Sequence, residues 1–211
     1  MNSSAEYWWN LPCFEEELVK ILAARPKEAL PADGLVTAAV LVPLFRKEGR
    51  PHVLLTKRSD FVEHHRGEIS FPGGKLDPED PDLQSCALRE TAEEVGVSPS
   101  DVHILGELDD FYTVATQFHV VPFVGTIPYP YEFRVSAREI AGLLGVPLDI
   151  FFDPERRSED IWTFQGQEVN VVSYRWEGHT IWGATARILK HFAELLENWP
   201  PEGNSCRSAS D

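Results

Sequence analysis

The chain has 211 residues, 43% hydrophobic and 25% charged, the balance of an ordinary globular domain, which excludes disordered, collagenous and membrane-spanning classes. Thirty-four acids against nineteen bases leave a formal net charge of −15 with no basic run, which excludes a nucleic-acid backbone or an anionic membrane as partner. The three cysteines, Cys13, Cys86 and Cys206, lie far apart with no CxxC pair. That spacing argues against a disulfide framework or a zinc site and, with no export signal at the N-terminus, predicts a cytoplasmic protein.

Residues 14–24 carry Leu18, Ile21 and Leu22 at helical spacing and predict a helix ending before Pro26. Residues 35–45 (LVTAAVLVPLF) predict a buried strand, 47–51 a turn, and 52–56 (HVLLT) the returning strand. After a polar loop, 68–71 lead into the turn Pro72-Gly73-Gly74. Asp80-Pro81 predicts a helix start, with Asp80 as the cap, and Gly96 a left-handed stop, so this helix covers 81–95. Residues 102–108 and 118–124 read as strands, and 136–144 (SAREIAGLL) as a short helix closed by Gly145 and Pro147. Residues 168–176 and 179–182 read as a strand pair around Glu177-Gly178, and 184–198 as a final helix. The result is one mixed α/β domain over 35–198, with a helical extension over 1–34. Residues 199–211, rich in Ser, Gly and Pro, predict a disordered tail.

Between residues 76 and 94 stand seven acids and a single base, Arg89. On the predicted 81–95 helix, Leu88, Thr91, Ala92 and Val95 share one arc, and Glu90, Glu93 and Glu94 share another. Like charges at i,i+4 repel, and no lysine is interleaved to relieve them. The pattern leaves two readings open, a solvated acidic face or an oxygen-ligand site for a divalent cation such as Mg²⁺.

Gly74, followed by Arg89-Glu90-Thr91-Ala92-Glu93-Glu94-Val95-Gly96-Val97, resembles the box of the Nudix hydrolases, G-x5-E-x7-R-E-U-x-E-E-x-G-U with U aliphatic. The second half matches, with Thr91 in one aliphatic position. In the first half, five residues lead from Gly74 to Asp80, but eight rather than seven separate Asp80 from Arg89. The box's first glutamate is therefore not carried over, and Asp80 is read as a cap. LLTKRS (54–59), His65, Gly67 and FPGGKLDPED (71–80) resemble the coenzyme A diphosphatase branch of that family. The likeness continues in YTVATQFHVVPFVG (112–125), REIAGLLGVPL (138–148) and IWGATARIL (181–189). One departure is Glu63, where that signature commonly carries arginine.

The resemblance implies a Nudix fold, an α/β/α sandwich around a mixed β-sheet, with the carboxylates on a helix after the glycine turn. It implies metal contacts from Gly74, Glu90, Glu93 and Glu94 to Mg²⁺ or Mn²⁺, with Glu93 nearest the centre. Arg89 joins Glu93 in the catalytic set by pairing with it or with a loop carboxylate and holding the cluster in place. Lys57, Arg58 and Arg66 are the candidate contacts to a small nucleotide substrate, whose phosphates match planar guanidinium groups. The general base is open between a glutamate of the helix and a later carboxylate, Glu139 or Glu168. Trp8, Trp9, Trp162, Trp176 and Trp182 are candidates for stacking on adenine, with core or interface packing the commoner role. The aromatic segment Tyr7-Trp8-Trp9 is also a candidate cover for a second subunit in a homodimer. The implied activity is cleavage of the diphosphate of coenzyme A. The alternatives are another nucleoside diphosphate derivative, such as ADP-ribose or a dinucleotide, and a non-catalytic nucleotide sensor.

Overall fold

The computed structural model describes residues 9, 12–32, 34–59, 67–113, 117–164 and 166–198. Arg66, Glu63, His64, His65, Tyr7, Trp8 and the tail expected over 199–211 lie outside the described residues. The elements in chain order are α1 (Phe14–Ala24), β1 (Val36–Lys47), β2 (Arg50–Arg58), β3 (Ile69–Ser70), β4 (Gly73–Lys75), α2 (Leu83–Val95) and β5 (His103–Glu107). They continue with β6 (Phe111–Thr113), β7 (Phe118–Thr126), β8 (Ile140–Pro147), β9 (Arg157–Phe164), β10 (Gln167–Trp176), β11 (His179–Trp182) and α3 (Gly183–Glu197).

The main sheet is mixed, in the order β3-β2-β1-β7-β5, with β4 joining β1, β6 joining β7 and β8 joining β2. β1 turns back antiparallel into β2 and lies parallel to β7, with Val36 opposite Phe118 and Leu44 opposite Thr126. A strand buried on both faces needs apolar residues in both parities, and β1 supplies them. Val42 and Leu44 enter the core with α1 and α3, whereas Ala39 and Leu41 pack on Cys86 and Ala87 of α2. The sheet is thus held between α1 and α3 on one side and α2 on the other. A second sheet, in the order β11-β10-β9, packs Val172, Tyr174 and Ile181 into the α3 side of the core. Among the described residues, no helix is long and apolar enough to cross a membrane.

Four expectations need correction. The helix expected over 136–144 is a turn at 137–139 followed by β8, which pairs along β2 from Arg58–Ile140 to His52–Pro147. The open edge of β2 offers backbone partners that must be satisfied, and this tertiary demand overrides the local apolar pattern. The helix expected from 81 begins at Leu83, capped by Asp82, whose Oδ1 accepts from the Ser85 amide at 2.7 Å. Three further strands, β4, β6 and β9, were not expected; Gly73 and Gly74, expected in a turn, pair with β1 instead, and RSEDIWTF is too polar to announce a strand, its ladder supplied by β10. Finally, Cys13 is disulfide-bonded and only Cys86 is a free, buried thiol among the described residues.

Candidate active site

The site grows from the junction of β1, β4 and α2. β4 pairs antiparallel with β1, Gly74 opposite Ala39, and presents its backbone to the helix. A Cβ at Gly74 would lie 2.4 Å from the Glu90 carboxyl carbon and 2.6 Å from both its oxygens. Glycine is needed here because the Glu90 carboxylate rests on the backbone itself. Helix α2 stops cleanly at Gly96, whose φ of 75° gives the left-handed cap and whose amide returns to the Ala92 carbonyl.

The buried face of α2 holds Cys86, Ala87, Thr91, Glu94 and Val95, leaving Leu88 and Ala92 partly exposed. The three glutamates therefore occupy three different environments. Glu94 is 4% exposed, accepts from the Gly73 amide, and keeps its Oε2 buried without a hydrogen-bond partner. Burial pushes its carboxyl up to about 8, against the opposing pull of the nearby Arg58 charge. Glu90 is also raised, chiefly by burial, with Arg89 opposing and Glu93 and Glu139 reinforcing. Glu93, expected nearest the centre, is the outermost, with a side chain 58% exposed and 3.3 Å from Arg89 Nη1.

Arg89 is the hub. Its Nε reaches Asp80 Oδ1 at 2.8 Å and its Nη2 reaches Asp80 Oδ2 at 2.9 Å, a two-pronged pair, while Nη1 reaches Glu90 Oε1 at 2.9 Å. Asp80 is consequently not the helix cap. Its side chain is 5% exposed, and Arg89 holds its carboxyl well below the usual range. The spacing signal was present, since Asp80 stands at the box's first carboxylate position counted from Gly74. Counting back from Arg89 hides it, because the turn accommodates one extra residue. Cys86 is a packing residue whose thiol faces the Lys75 carbonyl at 3.4 Å and is pushed up to about 11 by burial.

Among the substrate-contact candidates, Lys57 and Arg58 end β2, half-buried, with Lys57 opposite Ile69. Arg58 stands close enough to Glu94 to bias its proton, and its Nε is buried without a hydrogen-bond partner. Arg66 lies outside the described residues. Of the two later carboxylates, Glu139 is brought to the cluster and Glu168 is not. The Ser136 amide bonds the Glu94 carbonyl at 2.9 Å and the Glu139 carbonyl accepts from the Ser59 amide at 2.7 Å, which ties residues 136–139 across the end of α2 and β2. The Glu139 charge accordingly raises both Glu90 and Glu94. Glu168 lies on β10 opposite Thr163, in the second sheet. Of the tryptophans, Trp9 is buried and stacked on Phe152, and Trp162 and Trp182 are exposed.

As the side chains stand, no three His, Cys, Asp or Glu among the described residues form a set that could hold a metal ion. The donors nevertheless suit a hard divalent cation. They are oxygens throughout, one buried Glu94 oxygen has no partner, and Glu90 and Glu94, both raised chiefly by burial, are raised further by the Glu139 charge.

The NUDIX domain model matches residues 35–143, just over half of the chain. An uncharacterized Nudix hydrolase, NudL, of Yersinia pestis (strain Pestoides F) is 40% identical over 160 residues, covering 75% of this chain and 79% of that protein. NudL of Yersinia pseudotuberculosis serotype O:1b (strain IP 31758) shows the same identity and coverage. The crystal structure of a MutT/nudix family protein from Enterococcus faecalis superposes with a TM-score of 0.52 at 16% identity, covering 93% of this chain and 76% of that one, which supports the fold. The mixed sheet between helices, the glutamate-bearing helix after the glycines of β4 and these likenesses agree: the chain belongs to the Nudix family and is a Nudix hydrolase.

Proposed function

We propose that the protein hydrolyses the diphosphate bond of coenzyme A or its derivatives, giving adenosine 3′,5′-bisphosphate and 4′-phosphopantetheine. The observation that carries a charge-compensated hydrolytic centre is the buried Glu94 oxygen without a partner, on a helix whose Glu90 and Glu94 are both raised by burial and by the Glu139 charge. Coenzyme A is favoured by the LLTKRS and FPGGK segments, whose residues include the end of β2 and all of β4.

Glu90, Glu93, Glu94 and the Gly74 carbonyl would hold Mg²⁺ or Mn²⁺. Such ions neutralise a diphosphate, polarise the attacked phosphorus and acidify bound water. The chain's own part is positional and acid–base. Arg89, braced by Asp80, fixes Glu90 and restrains Glu93. Arg58, half-buried at the end of β2 beside Glu94, would pair with a substrate phosphate oxygen through its planar guanidinium. Glu139 is the favoured acceptor for the proton of the attacking water, because of the two later carboxylates it is the one electrostatically coupled to Glu90 and Glu94. The water oxygen bonds to one phosphorus as the bridging oxygen leaves with the other.

The test is a panel of coenzyme A, dephospho-coenzyme A, ADP-ribose and a dinucleoside polyphosphate, with products identified, with and without Mg²⁺ and Mn²⁺. Preferred turnover of coenzyme A to the two named products supports the proposal. Brisk turnover of ADP-ribose or the dinucleotide with coenzyme A untouched refutes the substrate and leaves the family chemistry standing.

A further inference from the structure

A second concave site lies away from the glutamate helix. Between α3, β6 and β10 is a cavity of about 270 Å³ whose lining includes Phe111, Asn170, Val172, Arg187, Lys190 and His191. Arg187, Lys190 and His191 stand at i, i+3 and i+4, so one face of α3 delivers three nitrogen-bearing side chains to one space. Their counter-charges are unequal. Lys190 lies 3.0 Å from Glu159, and His191 lies 3.2 Å from Asp109. Glu194, also in the lining, is 3.9 Å from Lys190. Arg187, exposed at the rim, has no carboxylate partner among the described residues. It donates one bond, from Nη1 to the Tyr112 carbonyl at 3.0 Å, and lies 5.6 Å over the Phe111 ring. A guanidinium carries five N–H donors, so most of this fork is uncommitted in a chain of net charge −15. The protein mass around it disfavours its charge, and no neighbouring acid opposes that effect.

The cavity is distinct from the proposed hydrolytic centre. Lys75, Ala38, Val120 and Phe111 form one row across β4, β1, β7 and β6. Three strand spacings put Phe111 about 14 Å from Lys75, and α3 packs on the sheet face opposite α2. We propose that this cavity binds a small organic oxyanion, a phosphate monoester or carboxylate on an apolar body, with the anion on the Arg187 fork and the body against Phe111 and Val172. A volume of about 270 Å³ exceeds what a bare phosphate fills, and the ring and the valine give the remainder an apolar floor. Such an anion could be free in solution or be the far end of the hydrolase's own substrate; the site chemistry is the same.

The test is calorimetric titration of the full chain with phenyl phosphate in metal-free buffer, which needs neither turnover nor the hydrolase reading. Wild type should bind at millimolar concentration. Arg187→Gln should weaken binding about tenfold or more, the loss of a charge-assisted contact, and Arg187→Lys should fall between. Glu93→Gln should bind as wild type. Lys190→Gln, also expected to weaken binding, serves as the second variant if Arg187→Gln fails to fold. No binding to wild type, or equal binding by wild type and Arg187→Gln, overturns the proposal, as does loss of binding in Glu93→Gln. In steady-state kinetics with the hydrolysed substrate, phenyl phosphate raising KM in wild type but not in Arg187→Gln identifies the substrate's own far end as the ligand. Binding with unaltered KM identifies a free anion, and either pattern supports the site.

Discussion

Arg89 and Asp80 form a two-pronged ion pair, Nε to Oδ1 at 2.8 Å and Nη2 to Oδ2 at 2.9 Å, across the turn that leads into the arginine's own helix. The pair locks the guanidinium so that its remaining nitrogen meets Glu90 at 2.9 Å. Asp80, which also accepts from the Asp77 amide at 2.9 Å, thereby orients the acidic cluster from behind.

Asp80→Asn keeps the shape but loses the charge-assisted fork, and is expected to cost about 1–3 kcal/mol. In a double-mutant cycle with Arg89→Gln, urea unfolding should show coupling of about 0.5–3 kcal/mol. Asp82→Ala removes the actual cap and should cost about 1 kcal/mol with kcat unchanged. Additive effects of Asp80 and Arg89 would show that the pair does not act as a unit.

The two glycines of β4 should fail differently. At Gly74 an added methyl meets only the end of the Glu90 side chain, at 2.4 Å, which can swing aside. Gly74→Ala should therefore fold with a nearly unchanged Tm yet lose on the order of a hundredfold in kcat, because Glu90 is displaced. At Gly73, φ is 150° and a Cβ would lie 2.4 Å from the Ala39 carbonyl oxygen, which is backbone and cannot yield. Gly73→Ala should lower Tm sharply. Thermal melts beside initial rates separate the two, and a full-activity Gly74→Ala enzyme contradicts the placement of Glu90.

Glu94 gives the metal-free protein a pH dependence of definite sign. Its carboxyl is raised from 4.5 to about 8 on folding, so the folded state holds a proton that the unfolded chain has released. That stabilisation is complete below the unfolded value and is lost as pH rises through the folded one. In metal-free buffer, stability should fall between these pH values by up to about 1.4 kcal/mol per pH unit from this group. Glu94→Gln should flatten the slope in urea melts taken across the window. An unchanged slope in Glu94→Gln contradicts the buried, poorly compensated carboxylate.

What the sequence revealed follows from how local each signal is. The doubly buried β1 is legible because apolar residues in both parities require two covered faces, and Gly96 marks the end of α2 on its own. The start of α2 is not legible in the same way. Asp80 and Asp82 cap equally well by propensity, and only the folded position of Arg89 assigns one to the ion pair and the other to the helix. IAGLL carries apolar spacing compatible with a helix, but the free edge of β2 turns it into β8. The helical wheel grouped Glu94 with the half-buried Glu90 and the exposed Glu93, whereas contact with the Gly73 amide draws it further inward. The gathering of Glu139 depends on the turn that replaces the expected helix, so spacing could not choose it over Glu168.

The central claim is that the Glu90, Glu93 and Glu94 face holds the divalent cation on which hydrolysis depends. Its most direct test is kcat for wild type and Glu93→Gln with the preferred substrate at saturating Mg²⁺. Of the three α2 glutamates, Glu93 has the most exposed side chain, so its substitution leaves the fold intact and reads function alone. The account predicts loss of nearly all turnover, with a Tm at or above wild type in metal-free buffer because like-charge repulsion is relieved. A Glu93→Gln enzyme keeping more than about a tenth of wild-type kcat, a barrier change under ~1.4 kcal/mol, contradicts it.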